Sequence, residues 1–471
     1  MMTTDKYKFF TEELGRDPNA AFITTPHGDL TYGEFIERAV RILNYLLKQG
    51  VRHGDRVVVA LENRPEYLEL AMALALGGMT LCAVDPQLPQ KQVRKIKQAS
   101  RAKLVISSYD DISYSLDKSV PGSVSVGEPD DPFLIVFSSG TTGEPKGIIQ
   151  SFSGFFSSAQ AFAKLAGFKA GATTFHNWPM FYNAGIFNLF AVPLVSNGRV
   201  FVAKRYSAKA MQDFWREIGQ AKPDYLYLSP TMAASLADTA KLLKVSRDAF
   251  GKATIVSTSS VLYPAIRNKF RNAFDSDLVP CFGITELGGS FTYGGTEPFS
   301  VGRWIADAEV KIDPDAENEI LVRTPHMAIG YLRQDGSVTV FDRNTFYRSN
   351  DLGLVKDGEL VVYGRKGDQI KKGGEMLNLL EIEDLILESG LCQECAAVDR
   401  KDEFWGDVYD IFVVRKPEDA AHGLKDRVQR YVNDALPVNQ RPSSVVEIAE
   451  MPRTSSGKAV KRLVLYAETA Q

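Results

Sequence analysis

One segment of this chain combines the residue types that bind phosphate groups. It runs from Ser138 to Gly147, reads SSGTTGEPKG, and follows the continuous apolar run FLIVF. Glycine lets a backbone come close to a ligand, exposed N–H groups and hydroxyls donate to phosphate oxygens, and lysine neutralises their charge. The spacing is not that of a Walker A loop, which requires G-x-x-x-x-G-K-[ST]. The segment predicts a phosphate-binding loop of another kind, with a flexible surface loop as the alternative.

Five segments taken together resemble the signatures of the acyl-adenylate-forming superfamily, which includes acyl- and aryl-CoA ligases, peptide-synthetase adenylation domains and luciferases. They occur in the family's order along nearly the whole chain. They resemble the Ser/Thr/Gly-rich loop at 138–147, the aromatic-Gly-x-Thr-Glu motif at 282–286, the Arg-Thr-Gly-Asp motif at 347–353, the hinge region at 364–383 and the C-terminal lysine loop at 452–458. The resemblance implies an enzyme that activates a carboxylic acid with ATP as an acyl-AMP.

The resemblance also implies which residues bind ATP. Asp351 is expected to accept hydrogen bonds from both ribose hydroxyls, which one ionised carboxylate can do. Phe282 is expected to pack against the adenine, and Lys146 to hold the departing pyrophosphate. The full expected set is Ser138, Ser139, Gly140, Thr141, Thr142, Gly143, Lys146, Phe282, Gly283, Asp351 and Arg365.

Four residues carry the implied chemistry. Thr285 is expected to donate to the α-phosphate, and Glu286 to bind Mg²⁺, a hard cation that favours carboxylate oxygen. Lys458 is expected to bridge the attacking carboxylate and the α-phosphate, where it stabilises developing negative charge. Lys371 is expected on the lid face used in the second step, where the resemblance also implies that Gly373 and Gly374 line the thiol channel.

Three positions depart from the family pattern. The Thr-Gly of Arg-Thr-Gly-Asp is Ser349-Asn350 here, which keeps the acid. Pro280 stands where the family often has an amide side chain, so adenine recognition is expected to use backbone groups. The hinge position, commonly Asp or Lys, is Gly367, and glycine absorbs large φ/ψ changes.

The acid pocket is expected to be apolar or aromatic. Tyr182 occupies the position where amino-acid-activating domains have Asp and CoA ligases often have His. Without a carboxylate there, the α-ammonium of an amino acid would be buried unpaired, which costs several kcal/mol. The expected lining residues are Phe181, Tyr182, Gly185, Ile284 and Leu287. The alternative is that Phe181 and Ile284 belong to the core.

Three acceptors for the activated acyl group stay open. The segment 372–375 (KGGE) resembles the glycine pair of CoA ligases, so CoA is the leading interpretation. A carrier-protein phosphopantetheine thiol would use the same channel, and an amine acceptor would give an amide. A degenerate binding protein is the non-enzyme alternative, and the presence of all the charged motif residues argues against it.

Alternating strand and helix patterns must position these residues, and they predict an α/β fold with layers of parallel strands. Thr31 and Glu34 form a capping box before a helix with one apolar face. Buried strands are predicted at 56–61 and 80–84. The apolar run at 133–137 predicts a strand buried on both faces, leading directly into the phosphate loop.

The second part of the chain changes character. Short strand patterns from 301 to 364 predict a β-rich unit that closes the large domain. Beyond it, a helix is predicted to start at Asn378 within a compact α+β segment. We therefore expect a large N-terminal domain at 1–364, a hinge at 365–368 and a small mobile α+β domain at 369–471.

Composition excludes several other functions. The 471 residues carry a net charge of −3, which gives no general attraction to nucleic acid or to an anionic membrane. The charged N-terminus predicts no secretory signal, and the longest apolar stretch, 71–84, is too short to span a bilayer. A cytoplasmic enzyme that acts on a small-molecule carboxylic acid is the expectation, with a carrier protein as an optional partner.

The four cysteines predict no disulfide framework. Cys82 and Cys281 lie in apolar surroundings and are expected to be buried. Cys392 and Cys395 form a single C-x-x-C without nearby histidines or a second pair, so reduced thiols are favoured over zinc ligands.

Overall fold

The computed structural model describes residues 6–25, 28–119, 128, 130–138, 146–207, 211–372, 375–402, 406–417, 419–453, 459–461 and 464. Within these ranges the chain has the predicted α/β architecture, with three large sheets before the hinge region and one after it. No helix in the described ranges is long and apolar enough to cross a membrane. All four cysteines are free, and Cys82 and Cys281 are buried as predicted.

The first sheet carries the two ends of the predicted phosphate loop. The described part of the chain contributes seven strands to it, in the spatial order Val338–Val340, Gly330–Leu332, Lys146–Ser151, Pro132–Ser138, Thr80–Ala83, Arg56–Val59 and Leu104–Ile106. The strand predicted at 133–137 is confirmed: it pairs with a strand on each edge, and its side chains are buried in two core clusters, one with Leu134 and the other with Ile135. Ser138 pairs with Lys146, which fixes the loop's two ends. Residues 139–145 lie outside the described ranges.

The second sheet contains the strand that precedes the segment of the predicted acid pocket. Its seven strands, counted over the same ranges, are Leu278–Pro280, Thr254–Ser257, Tyr225–Leu228, Thr173–His176, Arg199–Val202, Ala21–Thr25 and Gly28–Thr31. Pairing is parallel from Leu278–Pro280 through to Ala21–Thr25. Its apolar side chains face two separate clusters, one shared with the first sheet and one around Phe214 and Phe270.

The helices cover both of these sheets. The longer ones are Tyr32–Lys48, Pro65–Leu76, Gln90–Ser100, Phe152–Ala166, Met211–Ala221, Pro230–Thr239 and Pro264–Ala273. Shorter helical pieces are Lys6–Lys8, Phe9–Glu13, Tyr109–Asp111, Asn183–Ile186, Phe187–Ala191, Val192–Val195, Thr285–Leu287, Pro314–Ala316 and Val438–Gln440. The predicted capping box is confirmed, because Thr31 accepts from the Glu34 N–H and Glu34 accepts from the Thr31 N–H.

The third sheet is the predicted β-rich unit, with one difference. Its strands in order are Thr292–Tyr293, Ser300–Trp304, Glu359–Arg365, Tyr347–Lys356, Glu319–Arg323 and Glu309–Asp313, beside a small pair, Gly283–Ile284 and Gly289–Ser290. The hairpin at 330–340 does not join it. Gly330–Leu332 pairs instead with the strand after the phosphate loop, where Leu332 is buried. Burying the apolar side chain of Leu332 in the first sheet's core is more favourable in free energy than placing it at the edge of the third sheet.

The C-terminal part has its own sheet and core. The strands are Glu375–Asn378, Gln369–Lys372, Gly406–Val414, Glu394–Asp402 and Ser444–Ile448, and the helices are Leu379–Glu388 and Leu424–Ala435. Asn378 caps the first helix as predicted, accepting from the Leu380 N–H. Gln369 is the first residue to pair in this sheet, and Arg365 is the last to pair in the previous one. Residues 366–368 therefore connect two sheets.

Candidate active site

The predicted ribose carboxylate and the predicted hinge arginine face each other on adjacent strands. Asp351 and Arg365 are paired across Tyr347–Lys356 and Glu359–Arg365. The Arg365 Nε lies 2.7 Å from the Asp351 Oδ1. Asp351 is buried, whereas about half of the Arg365 side chain is exposed. The two residues therefore form one charged pair at the surface of the third sheet, next to the connection to the C-terminal part.

A buried carboxylate that the sequence did not single out holds this corner in place. Glu319 is fully buried, and its oxygens accept from the Asn350 N–H at 3.0 Å, the Lys366 Nζ at 3.0 Å and the Arg348 guanidinium at 2.5 Å. Burial alone would raise the pKa of Glu319, but Lys366, the Asn350 N–H and Arg348 together hold it below its ordinary value. Glu319 thus remains ionised and fixes the residues on both sides of Asp351 and Arg365.

A second constellation lies beside the end of the phosphate loop. The Tyr331 hydroxyl donates to the Glu286 Oε1 at 2.7 Å, and the Lys146 Nζ lies 5.7 Å from the centre of the Tyr331 ring. Burial and the Glu286 carboxylate both raise the pKa of Tyr331, so its hydroxyl stays protonated and can donate. Tyr331, on the hairpin that joins the first sheet, therefore has Glu286 at its hydroxyl and Lys146 near its ring.

The backbone around the Thr-Glu motif is fixed from two directions. Gln150 donates through its side-chain amide to the Thr285 carbonyl, and the Ala328 N–H donates to the Glu286 carbonyl at 2.9 Å. Phe282 is half-buried and lies against Phe291 with ring centroids 5.5 Å apart. Gly283, next to it, is exposed. One face of Phe282 is thus occupied by protein.

The predicted acid-pocket segment packs tightly near the end of the second sheet. The half-buried Tyr182 shares a hydrogen bond of 3.0 Å with the Ser259 hydroxyl and stacks on Trp178. Phe181 is buried, with the Arg205 guanidinium 5.5 Å from its ring centre. A Cβ on Gly185 would lie 2.1 Å from the Pro179 carbonyl oxygen, so only glycine fits.

The other two predicted pocket residues differ in exposure. Leu287 is fully buried within the main core cluster, whereas Ile284 is only partly buried against it. A fully buried leucine acts first as a core residue. Of the two residues for which the core was the alternative, Phe181 is also buried in this cluster, whereas Ile284 keeps an accessible side.

Several predicted site residues lie outside the described ranges. They are Ser139, Gly140, Thr141, Thr142, Gly143, Gly373, Gly374 and Lys458. Ser138 ends its strand, and Lys371 is exposed on Gln369–Lys372. Across the described residues no cluster of three or more His, Cys, Asp or Glu side chains could hold a metal ion.

Comparison with known proteins relates this arrangement to one family. The family model for AMP-binding enzymes matches residues 10–332, and the model for the C-terminal domain of AMP-binding enzymes matches residues 381–458. A solved structure of an anthranilate CoA ligase in complex with anthranoyl-AMP has the same fold, with a TM-score of 0.86 over 99% of this chain and 98% of that one, at 20% identity.

Curated relatives are similar at 23–27% identity. The 2-succinylbenzoate–CoA ligase of Bacillus cereus is 23% identical over 94% of this chain and 95% of its own length. The indoleacetate–CoA ligase of Aromatoleum aromaticum is 27% identical over 96% of both. A plipastatin synthase of Bacillus subtilis is 24% identical over 95% of this chain, which spans 19% of that much longer protein.

The Glu319 contacts lead to a prediction about ATP affinity. Glu319→Gln keeps an oxygen for the Asn350 N–H but removes the charge that pairs with Lys366 and Arg348. We expect the ATP dissociation constant to rise about tenfold, because Asp351 loses its fixed position. Isothermal titration calorimetry measures this constant. Glu309→Gln, which breaks an exposed ion pair in the same sheet, is the matched control and should have little effect. Equal ATP dissociation constants for Glu319→Gln and Glu309→Gln would contradict the proposal that Glu319 fixes the position of Asp351.

Proposed function

The chain belongs to the AMP-binding enzymes, and we propose that within this family it is an AMP-forming acid–CoA ligase. It activates a carboxylic acid as acyl-AMP with release of pyrophosphate, and then transfers the acyl group to the thiol of CoA. The observation that carries the proposal is the meeting of Lys146 and Glu286 at Tyr331, beside the ends of the phosphate loop. A magnesium-bound triphosphate needs a cation and an anionic metal ligand next to each other.

The nucleotide would lie between this constellation and the third sheet. Thr141, Thr142 and Lys146 would hold the triphosphate, and Asp351 would accept from the ribose hydroxyls. The present contact of Asp351 with Arg365 supports this role, because the guanidinium orients the carboxylate at the end of its strand. Phe282 would offer the adenine only the face that Phe291 does not cover.

Glu286 would be the protein ligand of Mg²⁺. One of its oxygens accepts from Tyr331, which orients the carboxylate. A single carboxylate fits this ion, which commonly takes its remaining ligands from substrate phosphates and water. The bound ion would neutralise charge on the departing pyrophosphate.

The acid is proposed to lack an α-amino group and to have an apolar or aromatic body. Tyr182 binds Ser259 through its hydroxyl and supplies no carboxylate for an ammonium group. The buried ring of Phe181 and the accessible side of Ile284 support an apolar site. The CoA ligases named above, which act on 2-succinylbenzoate, indoleacetate and anthranilate, support an aromatic acid.

The second half-reaction is proposed to follow lid rotation. We propose the division into residues 1–364, a hinge at 365–368 and a lid at 369–471, and the change of sheet between Arg365 and Gln369 supports it. Gly367 has a φ of 100°, a conformation that other residues rarely adopt. CoA is the proposed acceptor, and Gly373 and Gly374 would line its channel with Lys371 nearby. A carrier-protein thiol or an amine is the alternative, and a cytoplasmic location stays a prediction.

The nature of the products tests adenylation directly. Turnover should require ATP and Mg²⁺ and should yield AMP and pyrophosphate, because attack occurs at the α-phosphate. We would measure pyrophosphate release over fatty, aryl and amino acids, with and without CoA. Glu286→Gln should lower the rate by about a hundredfold, the usual effect of losing one aimed electrostatic group. Formation of ADP and phosphate would refute adenylation.

The same screen tests the acid class. Aryl acids should support ATP–pyrophosphate exchange far better than proteinogenic amino acids, because a buried unpaired ammonium costs several kcal/mol. Robust exchange with a proteinogenic amino acid, and none with aryl or fatty acids, would overturn the proposed pocket.

The roles of the two lid faces can be separated kinetically. Lys458→Ala should slow acyl-AMP formation by on the order of a hundredfold, because one aimed cation is lost. Given preformed acyl-AMP, the same variant should form thioester at nearly the parent rate. A bulky residue at Gly374 should do the reverse. Lys401→Ala, which removes an exposed lid lysine, is the control. Equal loss of both half-reactions in a folded Lys458→Ala protein would favour a fixed site instead.

A further inference from the structure

One buried carboxylate of the C-terminal part contacts three separate segments. Glu383 is 1% exposed, and its Oε1 accepts from the Lys461 Nζ at 2.7 Å and from the Ala397 N–H at 2.6 Å. The hydroxyl of Tyr263, from the large domain, donates to its Oε2. Lys461 also lies 3.7 Å from Asp368 in the hinge region. Glu383 is therefore shared by the lid's sheet, the segment after the lysine loop and the large domain.

The next residue makes a second contact across the same boundary. The Asp384 Oδ1 accepts from the Ala265 N–H at 3.0 Å. Ala265 is in the first turn of Pro264–Ala273, whose own N-cap residue, Tyr263, provides no side-chain cap. The first N–H groups of a helix lack partners within it and favour negative charge. The lid thus supplies the cap that this large-domain helix lacks.

The pKa of Asp384 reflects the burial of its carboxyl group at this boundary. Desolvation raises its pKa to about 6, against the lowering effect of the Ala265 N–H. A carboxyl on the surface of a lone helix would remain in water. The shift fits a group that the large domain covers.

These contacts also bracket the lysine loop. Lys461 is three residues after Lys458, and Arg453 precedes the loop. Arg453 pairs with Glu394 in the lid, and its Nη1 is 3.4 Å from the Thr231 hydroxyl of the large domain. Arg453, before this loop, therefore contacts the large domain, and Lys461, after it, contacts the lid and the hinge region.

We propose that Tyr263, Glu383, Asp384 and Lys461 form a latch that holds the lid in the orientation in which Arg453 reaches Thr231 of the large domain. Glu383 and Asp384 are then positioning residues for the first half-reaction, an inference that rests on the proposed adenylation. Rotation about residues 365–368 breaks the contacts of Tyr263 and Ala265, because these lie on the other side of the hinge. The pair of Lys461 with Glu383 persists, because both residues belong to the lid.

Lid orientation can be measured without knowing the acid. Fluorescent labels at Leu242→Cys and Val438→Cys, two exposed positions on opposite sides of the hinge, report the distance between large domain and lid in the ATP-bound full-length enzyme. The parent should show one dominant distance. Tyr263→Phe combined with Asp384→Ala should populate a second distance at least fivefold more, the lower end of usual coupling effects.

Matched variants distinguish the latch from general loss of structure. Tyr431→Phe, like Tyr263→Phe, removes one tyrosine hydroxyl, but from a lid helix packed in the lid core. It should leave the distance unchanged. Asp384→Asn keeps an oxygen acceptor for the Ala265 N–H, so it should retain the parent distance where Asp384→Ala does not.

The half-reactions give the second readout. With an aryl acid that supports exchange in the parent, Tyr263→Phe with Asp384→Ala should slow ATP–pyrophosphate exchange about tenfold and leave transfer from preformed acyl-AMP to CoA unchanged. An unaltered distance, or equal slowing of both halves, overturns the latch. A shifted distance in a protein that exchanges with no acid supports the latch and refutes the proposed function instead.

Discussion

The buried carboxylate of Glu319 is the contact on which the nucleotide side of the molecule depends. An ionised group without solvent must find partners, and Glu319 finds Arg348, Lys366 and the Asn350 N–H. These partners lie immediately beside Asp351 and Arg365. The carboxylate therefore fixes one hairpin whose exposed end carries both the proposed ribose ligand and the start of the hinge. The proposed nucleotide contact and the proposed lid movement therefore share one hairpin.

The boundary beyond this hairpin is held in a different way. It uses hydrogen bonds, such as those of Glu383 with Tyr263 and of Asp384 with Ala265, and among the described residues the main apolar core of the C-terminal part contains no residue of the large domain. Separating two apolar surfaces exposes both to water and costs the full free energy of their burial. Polar groups that separate form hydrogen bonds with water instead, with a small net change in free energy. A polar boundary of this kind suits the lid rotation that we propose for the second half-reaction. The separate core of the C-terminal part lets it move as one body.

Local features of the sequence were sufficient to predict the elements whose structure depends on residues nearby in the chain. The capping box at Thr31, the Asn378 cap and the strand at 133–137 each follow from a few adjacent residues, and all are confirmed. Glu319 and Tyr331 were missed, because hydrogen-bond partners such as Asn350, Lys366 and Glu286 are 31 to 47 residues away and no spacing rule marks them. The β-rich unit predicted over 301–364 did not indicate that the hairpin at 330–340 joins the first sheet, because strand alternation does not identify the pairing strand.

The most direct test of this account is whether Asp351 and Arg365 act as one unit in ATP binding. A double-mutant cycle with Asp351→Asn, Arg365→Gln and the combined variant gives their coupling from four ATP dissociation constants, measured by titration calorimetry. The account predicts that the single effects are not additive, with a coupling of about 1 kcal/mol or more for residues in direct contact. Effects that add to within about 0.5 kcal/mol would contradict it, because that is the behaviour of independent sites.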